Sequence, residues 1–199
     1  METAESILAF WFGTDRDDAR TAEQKKQLWW AKDSAADQEI STRFSACTAA
    51  AAQGALDEWR ADPRGLLALV LLTDQFPRNM YRGLPASFSF DAQALRLCKQ
   101  ALEQGDDRRL RPIERVFLYL PLEHSESLAD QEQAVELFRQ LCNEVPADQQ
   151  AVFAGFRDFA IRHRDIIARF GRFPHRNAIL GRTSTADEQA FLQTAGSSF

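Results

Sequence analysis

The sequence lacks long hydrophobic runs, paired cysteines and a strong excess of charge of one sign. Its longest aliphatic run, residues 66–72, is far shorter than the roughly 20 residues that a membrane-spanning helix needs. Cys47, Cys98 and Cys142 are widely separated and form no CxxC pair, which predicts free thiols in a reducing compartment. No basic segment follows Met1, so we expect no signal peptide. These absences predict a cytoplasmic protein without a membrane span.

The chain also lacks the short motifs that bind common cofactors. The glycine-rich dinucleotide motif, the P-loop, the kinase motifs and the GxSxG nucleophile motif are all absent. His124, His163 and His175 lack the i,i+4 spacing of a zinc-binding helix, and the arginines around them would oppose a cation. We therefore predict no cofactor and no metal. The net charge of −5 disfavours nucleic acid as a partner.

Helical spacing of hydrophobic residues recurs along the chain, whereas no segment of useful length alternates apolar and polar residues as a strand would. Pro63 and Pro112 are typical first residues of helices, and Gly105 is a typical helix stop. Thr185 and Glu188 have the spacing of a capping box. Short connections between such helices predict an all-α fold of eight or nine helices packed as antiparallel pairs.

The chain has 199 residues, of which 45% are hydrophobic. This length and composition suit one globular domain with a large core. No stretch rich in glycine, serine or proline is long enough to be a linker. We therefore predict a single all-helical domain over residues 1–199.

Polar residues concentrate at the predicted helix ends in three segments. The first follows the most hydrophobic helix and contains Asp74, Arg78, Asn79 and Arg82. One interpretation is a turn in which Asp74 pairs with Arg78 and Asn79 is left-handed. The other is a binding site, in which Arg78 and Arg82 point into a cleft and hold an anion.

The second segment follows Pro121, where we expect a helix to end. It offers Glu123, His124 and Glu126 before the next helix. The acidic residues fit the positive N-terminus of that helix, but this interpretation does not account for His124. The alternative is that His124 is a general base or ligand that a carboxylate orients.

The third segment carries a local excess of positive charge. Residues 157–182 contain seven arginines and two aspartates, although the whole chain is acidic. His163 falls on the apolar face of its helix, so a core histidine with a satisfied hydrogen bond is the default interpretation. Around the following helix end lie Arg169, Arg172, His175, Arg176 and Asn177. Either acidic side chains elsewhere in the fold compensate these charges, or a negative ligand does.

Several motifs together resemble a known family over nearly the whole chain. They are Ile7-Leu8-Ala9-Phe10-Trp11-Phe12-Gly13, Leu28-Trp29-Trp30, Leu72-Thr73-Asp74-Gln75-Phe76-Pro77-Arg78-Asn79, Arg82-Gly83, Pro121-Leu122-Glu123-His124-Ser125-Glu126, Arg169-Phe170-Gly171-Arg172-Phe173-Pro174-His175-Arg176-Asn177 and Leu180-Gly181-Arg182. The sequence is similar to the bacterial family catalogued as domain of unknown function 924. The resemblance implies an all-helical fold similar to tetratricopeptide-type helix pairs. It implies no established activity and no catalytic residues.

Our first functional hypothesis is a pocket for a small anionic molecule, such as a carboxylate or phosphate compound. Charge-assisted hydrogen bonds would clamp the anion, and two asparagines would add directional contacts. These candidates are Arg78, Arg82, Arg172, Arg176, Asn79 and Asn177, with Asp74, His163, Arg169 and His175 also in the site. If the pocket is catalytic, His124 carries the proton, and Glu126 orients it or acts as a second acid.

The second hypothesis is an interaction module without chemistry, which binds a peptide or partner protein in a groove between helix pairs. It predicts exposed aromatic side chains, such as Trp11, Trp29 or Trp59. A third possibility is a purely structural network, in which Arg78, Glu123 and Arg172 pair with each other and leave no cavity between them.

Overall fold

A computed structural model describes residues 2–197, and all regular structure in this range is helical. The α-helices are α1 (Ala4–Phe12), α2 (Asp18–Trp30), α3 (Ser34–Ala52), α4 (Pro63–Thr73), α5 (Gln75–Met80), α6 (Asp91–Gln104), α7 (Pro112–Glu123), α8 (Leu128–Glu144), α9 (Gln150–Phe170) and α10 (Ala186–Leu192). Short 3-10 turns occupy several of the connections. The prediction of an all-α fold is confirmed. Within the described range, no helix combines the length and apolar character that crossing a bilayer requires.

Local signals in the sequence set several helix ends as predicted. Pro63 and Pro112 occupy the first positions of α4 and α7, where a missing N–H removes no hydrogen bond. Gly105 ends α6 with a φ of 70°, a left-handed conformation that favours glycine. The capping box at the start of α10 is formed by Thr185 and Glu188.

Two local predictions are wrong. We expected a helix to end at Pro121, but α7 continues through this residue to Glu123, with every residue after the first one buried. Packing on all sides of the last turn outweighs the single hydrogen bond that proline removes. Asn79 is not left-handed but lies inside α5. Pro77 is the third residue of that helix, where its N–H would have had no intrahelical acceptor.

Helix α4 lies at the centre of the fold. All its residues except Arg64 are buried, and it packs against α1, α3, α5, α6 and α7. Aromatic side chains from four of these neighbours, α1, α3, α5 and α7, fill the space beside it. This core includes Trp11, whose ring centre lies 5.4 Å from that of Phe76 and 5.6 Å from that of Phe117.

Two of the tryptophans that the interaction hypothesis expected on the surface are in the core instead. Trp11 is completely buried, Trp29 is almost completely buried, and Trp59 is half-buried. Trp29 donates its indole N–H to the main-chain oxygen of Trp11 at 3.0 Å. These side chains hold α1 and α2 on the core, so they do not line an open groove.

The second half of the chain brings several helix ends together. Five residues join α8 to α9, and the two helices pack along each other, so they form an antiparallel hairpin. At the end of α9, a small second hydrophobic cluster contains Ile166 and Ile167 of this helix and Phe173, which follows it. Phe173 precedes the 3-10 turn Pro174–Arg176, which places this turn near the ends of α7 and α9.

The central position of α4 makes Gly65 sensitive to substitution. A methyl group added there would lie 2.3 Å from the main-chain oxygen of Trp59. We predict that Gly65→Ala lowers the free energy of unfolding by about 1–3 kcal/mol, because the overpacking outweighs the higher helix propensity of alanine. Urea denaturation monitored by circular dichroism measures this change.

Gly155→Ala is the matched control for this experiment. It lies inside α9, and no atom lies within 4 Å of the position that the added methyl group would take. At low protein concentration it should raise the free energy of unfolding by up to about 1 kcal/mol. Equal effects of the two substitutions would contradict the close contact at Gly65.

Candidate functional site

The three histidines of the chain come together at one place in the fold, and we call them the histidine cluster. His124 follows the end of α7, His163 lies in α9, and His175 lies in the 3-10 turn that follows α9. The ring centres of His124 and His163 are 6.3 Å apart. The ring centre of Phe173 lies 5.6 Å from that of His163 and 5.6 Å from that of His175. Two of the predicted polar segments therefore meet here.

Asp74 brings the remaining segment to the cluster. It lies between α4 and α5, and its side chain is 0% exposed. One carboxylate oxygen lies 2.8 Å from Nδ1 of His124, and the other accepts a 2.7 Å hydrogen bond from the side chain of Gln75. Burial alone would raise the pKa of Asp74, but the charge of Arg78 and the contact with His124 lower it below its ordinary value. Asp74 is therefore an ionised acceptor.

The surroundings of His124 favour its neutral form. Burial lowers its pKa, and the positive charge of Arg78 lowers it further, whereas Asp74 acts in the opposite direction. Because an ionised carboxylate accepts hydrogen bonds only, a neutral His124 must carry its proton on Nδ1. Nε2 then holds a lone pair, as a general base requires.

Arg78 is held by two carboxylates and one carbonyl group. It donates two hydrogen bonds to Asp91, at 2.9 and 3.1 Å, and one to the main-chain oxygen of Asp74 at 2.7 Å. Its Nη1 also lies 3.4 Å from the Asp74 carboxylate. Arg78 is thus a structural member of the site with its donors largely occupied.

Arg176 is the least satisfied charge in the site. It is 7% exposed, and its guanidinium lies over two rings, 4.8 Å from the centre of Phe88 and 4.5 Å from that of Phe173. Its Nη1 is 3.6 Å from Asp91, and its buried Nε has no hydrogen-bond partner. Burial, together with the charge of Arg78, lowers the pKa of Arg176 to about 10. A buried guanidinium in this state has an unmet demand for an acceptor.

His163 is part of the interior, as the default interpretation predicts. It is buried, and its Nδ1 lies 2.9 Å from the main-chain oxygen of Phe159 and 3.0 Å from the carboxylate of Glu123. These contacts join the end of α7 to the middle of α9. His163 therefore supports the site rather than presenting a free ring nitrogen.

The sequence predicts that Glu126 orients His124 or acts as a second acid. In the structure Asp74, not Glu126, contacts the ring of His124. The two oxygens of Glu126 bind Arg182, at 2.7 and 3.0 Å, and one of them also accepts the main-chain N–H of Phe173 at 2.8 Å. Glu126 points at the segment that follows α9, because the Arg182 guanidinium and the Phe173 N–H of that segment lie within its reach. It holds the segment of Phe173 against the body of the fold.

The arginines predicted to form a single clamp have partners in different parts of the fold. Arg82 forms a double hydrogen bond with Asp37 of α3, at 2.8 and 2.9 Å, and Asn79 also binds this carboxylate. These contacts fasten α5 to α3. Within the described residues, Arg82 and Asn79 therefore serve an interhelical ion pair, and of their segment Asp74 and Arg78 reach the histidine cluster.

Arg172 and Asn177 belong to a separate network around α10. Arg172 donates to both oxygens of Glu188, at 2.6 and 2.8 Å, and the Asn177 amide lies 3.2 Å from the same carboxylate. Arg169 instead lies over the rings of Phe170 and Phe191. A surface depression of about 450 Å³ adjoins this network rather than the histidine cluster. It is lined by Arg169, Phe170, Arg172, Thr185, Asp187 and Glu188.

Sequence reasoning missed two residues of the site. Asp91, which binds both Arg78 and Arg176, is the first residue of α6, where an acidic residue is common for helix stability alone. Phe88, which lies under Arg176, is in a 3-10 turn that has no motif of its own. No group of three or more histidine, cysteine or acidic side chains within residues 2–197 could hold a metal ion.

The buried histidines predict a loss of stability in acid. Burial, and then the charge of Arg176, lowers the pKa of His175 from 6.5 to about 3. Below pH 6.5 the unfolded chain therefore binds a proton at this position that the folded chain does not bind, so folding weakens as the pH falls. We predict that the free energy of unfolding of His175→Asn falls by up to about 1.4 kcal/mol less per pH unit than that of the unsubstituted protein. Urea denaturation of both proteins between pH 7 and pH 4 measures it, and parallel curves would contradict the prediction.

Comparisons with known proteins agree with the helical fold. The sequence profile of a family described as "Bacterial protein of unknown function (DUF924)" matches residues 7–196. A solved structure of a protein of unknown function from Agrobacterium tumefaciens, ATU0120, superimposes with a TM-score of 0.80 at 36% sequence identity, over 96% of each chain. Among curated proteins, none matches the sequence.

Proposed function

We propose that this chain, which belongs to the DUF924 family of bacterial proteins of unknown function, binds a small carboxylate- or phosphate-bearing molecule at Arg176, which follows His175 of the histidine cluster. The observation that carries the proposal is the state of Arg176. A guanidinium has five N–H donors, yet this side chain donates no hydrogen bond within the described part of the chain and shares its nearest carboxylate, Asp91, with Arg78. An anion would supply the missing acceptors.

The chemistry of a guanidinium favours carboxylate and phosphate groups. Its planar fork of donors matches two oxygens of such a group, and charge-assisted hydrogen bonds of this kind are about twice as strong as neutral ones. The rings of Phe88 and Phe173 both contact the guanidinium of Arg176 and restrict its movement, so little further ordering is needed on binding. Arg82 and Arg172 are not part of this binding site, because Asp37 and Glu188 already occupy their donors.

His124 gives the same site a proton acceptor. Asp74 fixes the ring through Nδ1 at 2.8 Å, which leaves Nε2 for a ligand. If the bound molecule reacts, His124 takes the proton and Asp74 stabilises the charge that then forms on the ring. Asp74 is thus the positioning residue, a role that the sequence predicts for Glu126. A cytoplasmic location suits the protein, because its three cysteines are all free and buried.

The anion site is tested by Arg176→Met. Methionine keeps an apolar side chain between the two phenylalanine rings but removes the charge. For the unsubstituted protein we predict that phosphate or citrate, at about a hundredfold excess over Kd, raises Tm by about 5 °C or more. Arg176→Met should lose this specific rise and keep only the general stabilisation that such salts give to all proteins.

Arg172→Met is the matched control. Arg172 lines the depression near α10 and pairs with Glu188, so its loss should lower Tm without abolishing the response to phosphate or citrate. If Arg172→Met loses the response and Arg176→Met keeps it, the anion binds near α10 and the proposal is wrong.

Nuclear magnetic resonance of the histidine rings tests the role of His124. Since the chain has three histidines, their ring signals can be assigned by single substitutions. Citrate should shift the ring signals of His124 and His175 in the unsubstituted protein, and the shift should disappear in Arg176→Met. Unchanged ring signals at saturating citrate would show that the anion does not reach the histidine cluster.

A further inference from the structure

The outward side of α9 carries an exposed apolar surface that includes none of the three histidine rings. Phe159 is 49% exposed and Trp30, at the end of α2, is 51% exposed. Phe156 lies between these two positions, with its ring centre 6.2 Å from that of Trp30. Large aromatic side chains grouped on a surface in this way mark an interaction site more often than isolated ones do.

The residues along this side of α9 have a symmetric spacing around Gly155. Ala151 and Phe159 lie four residues before and after it, and Asp148 and Arg162 lie seven residues before and after it. All five are exposed. Intervals of four and seven residues place side chains on one side of a helix, and a turn closed by a 2.9 Å hydrogen bond leads from Asp148 into α9.

Gly155 has no role in the fold that requires glycine. It lies inside α9, and an added methyl group would meet no atom within 4 Å. Glycine weakens the interior of a helix relative to alanine. Its use here is explained if the backbone of another helix approaches at this point, as close helix crossings require.

Asp158, three residues after Gly155, is paired with its neighbour Arg157, but the charges at the two ends of this surface lack partners of their own. Neither Asp148 nor Arg162 forms an ion pair within the described part of the chain, and Arg162 only lies over Phe159, 5.2 Å from the ring centre. Because the two charges are opposite and equidistant from Gly155, the surface is complementary to itself when it is turned by 180°.

We propose that this side of α9 is the interface at which a second copy of the chain docks, with the two α9 helices antiparallel and crossing at Gly155. In this arrangement Phe159 of each copy packs on Ala151 of the other. Arg162 of each copy pairs with Asp148 of the other, and Trp30 and Phe156 cover the edge of the contact. A two-fold axis through Gly155 produces all these contacts twice.

A second copy fits this surface better than an unrelated peptide does. A peptide would have to supply both a basic and an acidic group at opposite ends of an apolar centre, whereas the surface supplies both by symmetry. The contact uses exposed side chains of α9, whereas His163, the member of the histidine cluster in this helix, is buried, so the anion site and the dimer can fail independently.

Charge reversal tests the arrangement, with the full chain analysed by sedimentation velocity from about 1 to 200 µM, a range that covers weak dimers. Arg162→Asp alone places two aspartates against each other, and Asp148→Arg alone places two arginines against each other. Each substitution alone should raise the dimer Kd by about tenfold or more. An equimolar mixture of the two variants restores both opposite pairs, and it should dimerise with a Kd within about threefold of the original value.

Two further variants complete the experiment. Phe159→Ser should abolish the dimer while leaving the circular dichroism spectrum unchanged, because half of this side chain is exposed in one copy. Arg108→Asp changes the charge equally at an exposed residue outside α9, and it should leave the dimer intact. A chain that is monomeric at 200 µM, a dimer that the single reversals do not weaken, or a mixture that stays monomeric would each overturn the proposal.

Discussion

The burial of one ionised carboxylate, Asp74, determines how the rest of the site is arranged. A charge removed from water costs several kcal/mol unless partners surround it, and here Gln75, Arg78 and His124 are those partners. They come from the corner between α4 and α5 and from the end of α7. The requirement to compensate Asp74 therefore fixes the relative positions of three helices and selects the tautomer of His124.

Compensation of Asp74 has a second effect further along the network. Arg78, once it is drawn towards Asp74, also takes both oxygens of Asp91, so Arg176 has only a 3.6 Å contact with that carboxylate. Two guanidiniums and two carboxylates balance in number, but the hydrogen bonds are distributed unequally. The proposed anion site depends on this unequal distribution, because it leaves Arg176 without hydrogen-bond acceptors.

Sequence reasoning succeeded where the determinant is local and failed where it is a contact between distant residues. Proline at a first helical position and glycine after a last turn fix helix ends through their own backbone, so α4 and α6 begin or end as expected. Pro121 misleads because burial of α7 is a property of the whole fold. For the same reason the polar segments are recognisable as special, but the partner of Arg82, Asp37, is 45 residues away. Nothing near either residue identifies the other.

The attachment of the chain beyond α9 has a consequence for cooperativity. Its buried hydrophobic residue Phe173 packs with the end of α9 in a small cluster apart from the main core, and Glu126 ties the segment to the body through Arg182 and the backbone of Phe173. Segments with little shared core open at a lower free energy than the rest of a protein. His175 and Arg176 therefore belong to a unit that can detach while the main core persists. An anion bound to both this unit and the main core would hold them together, so its binding free energy would be coupled to the ordering of the unit.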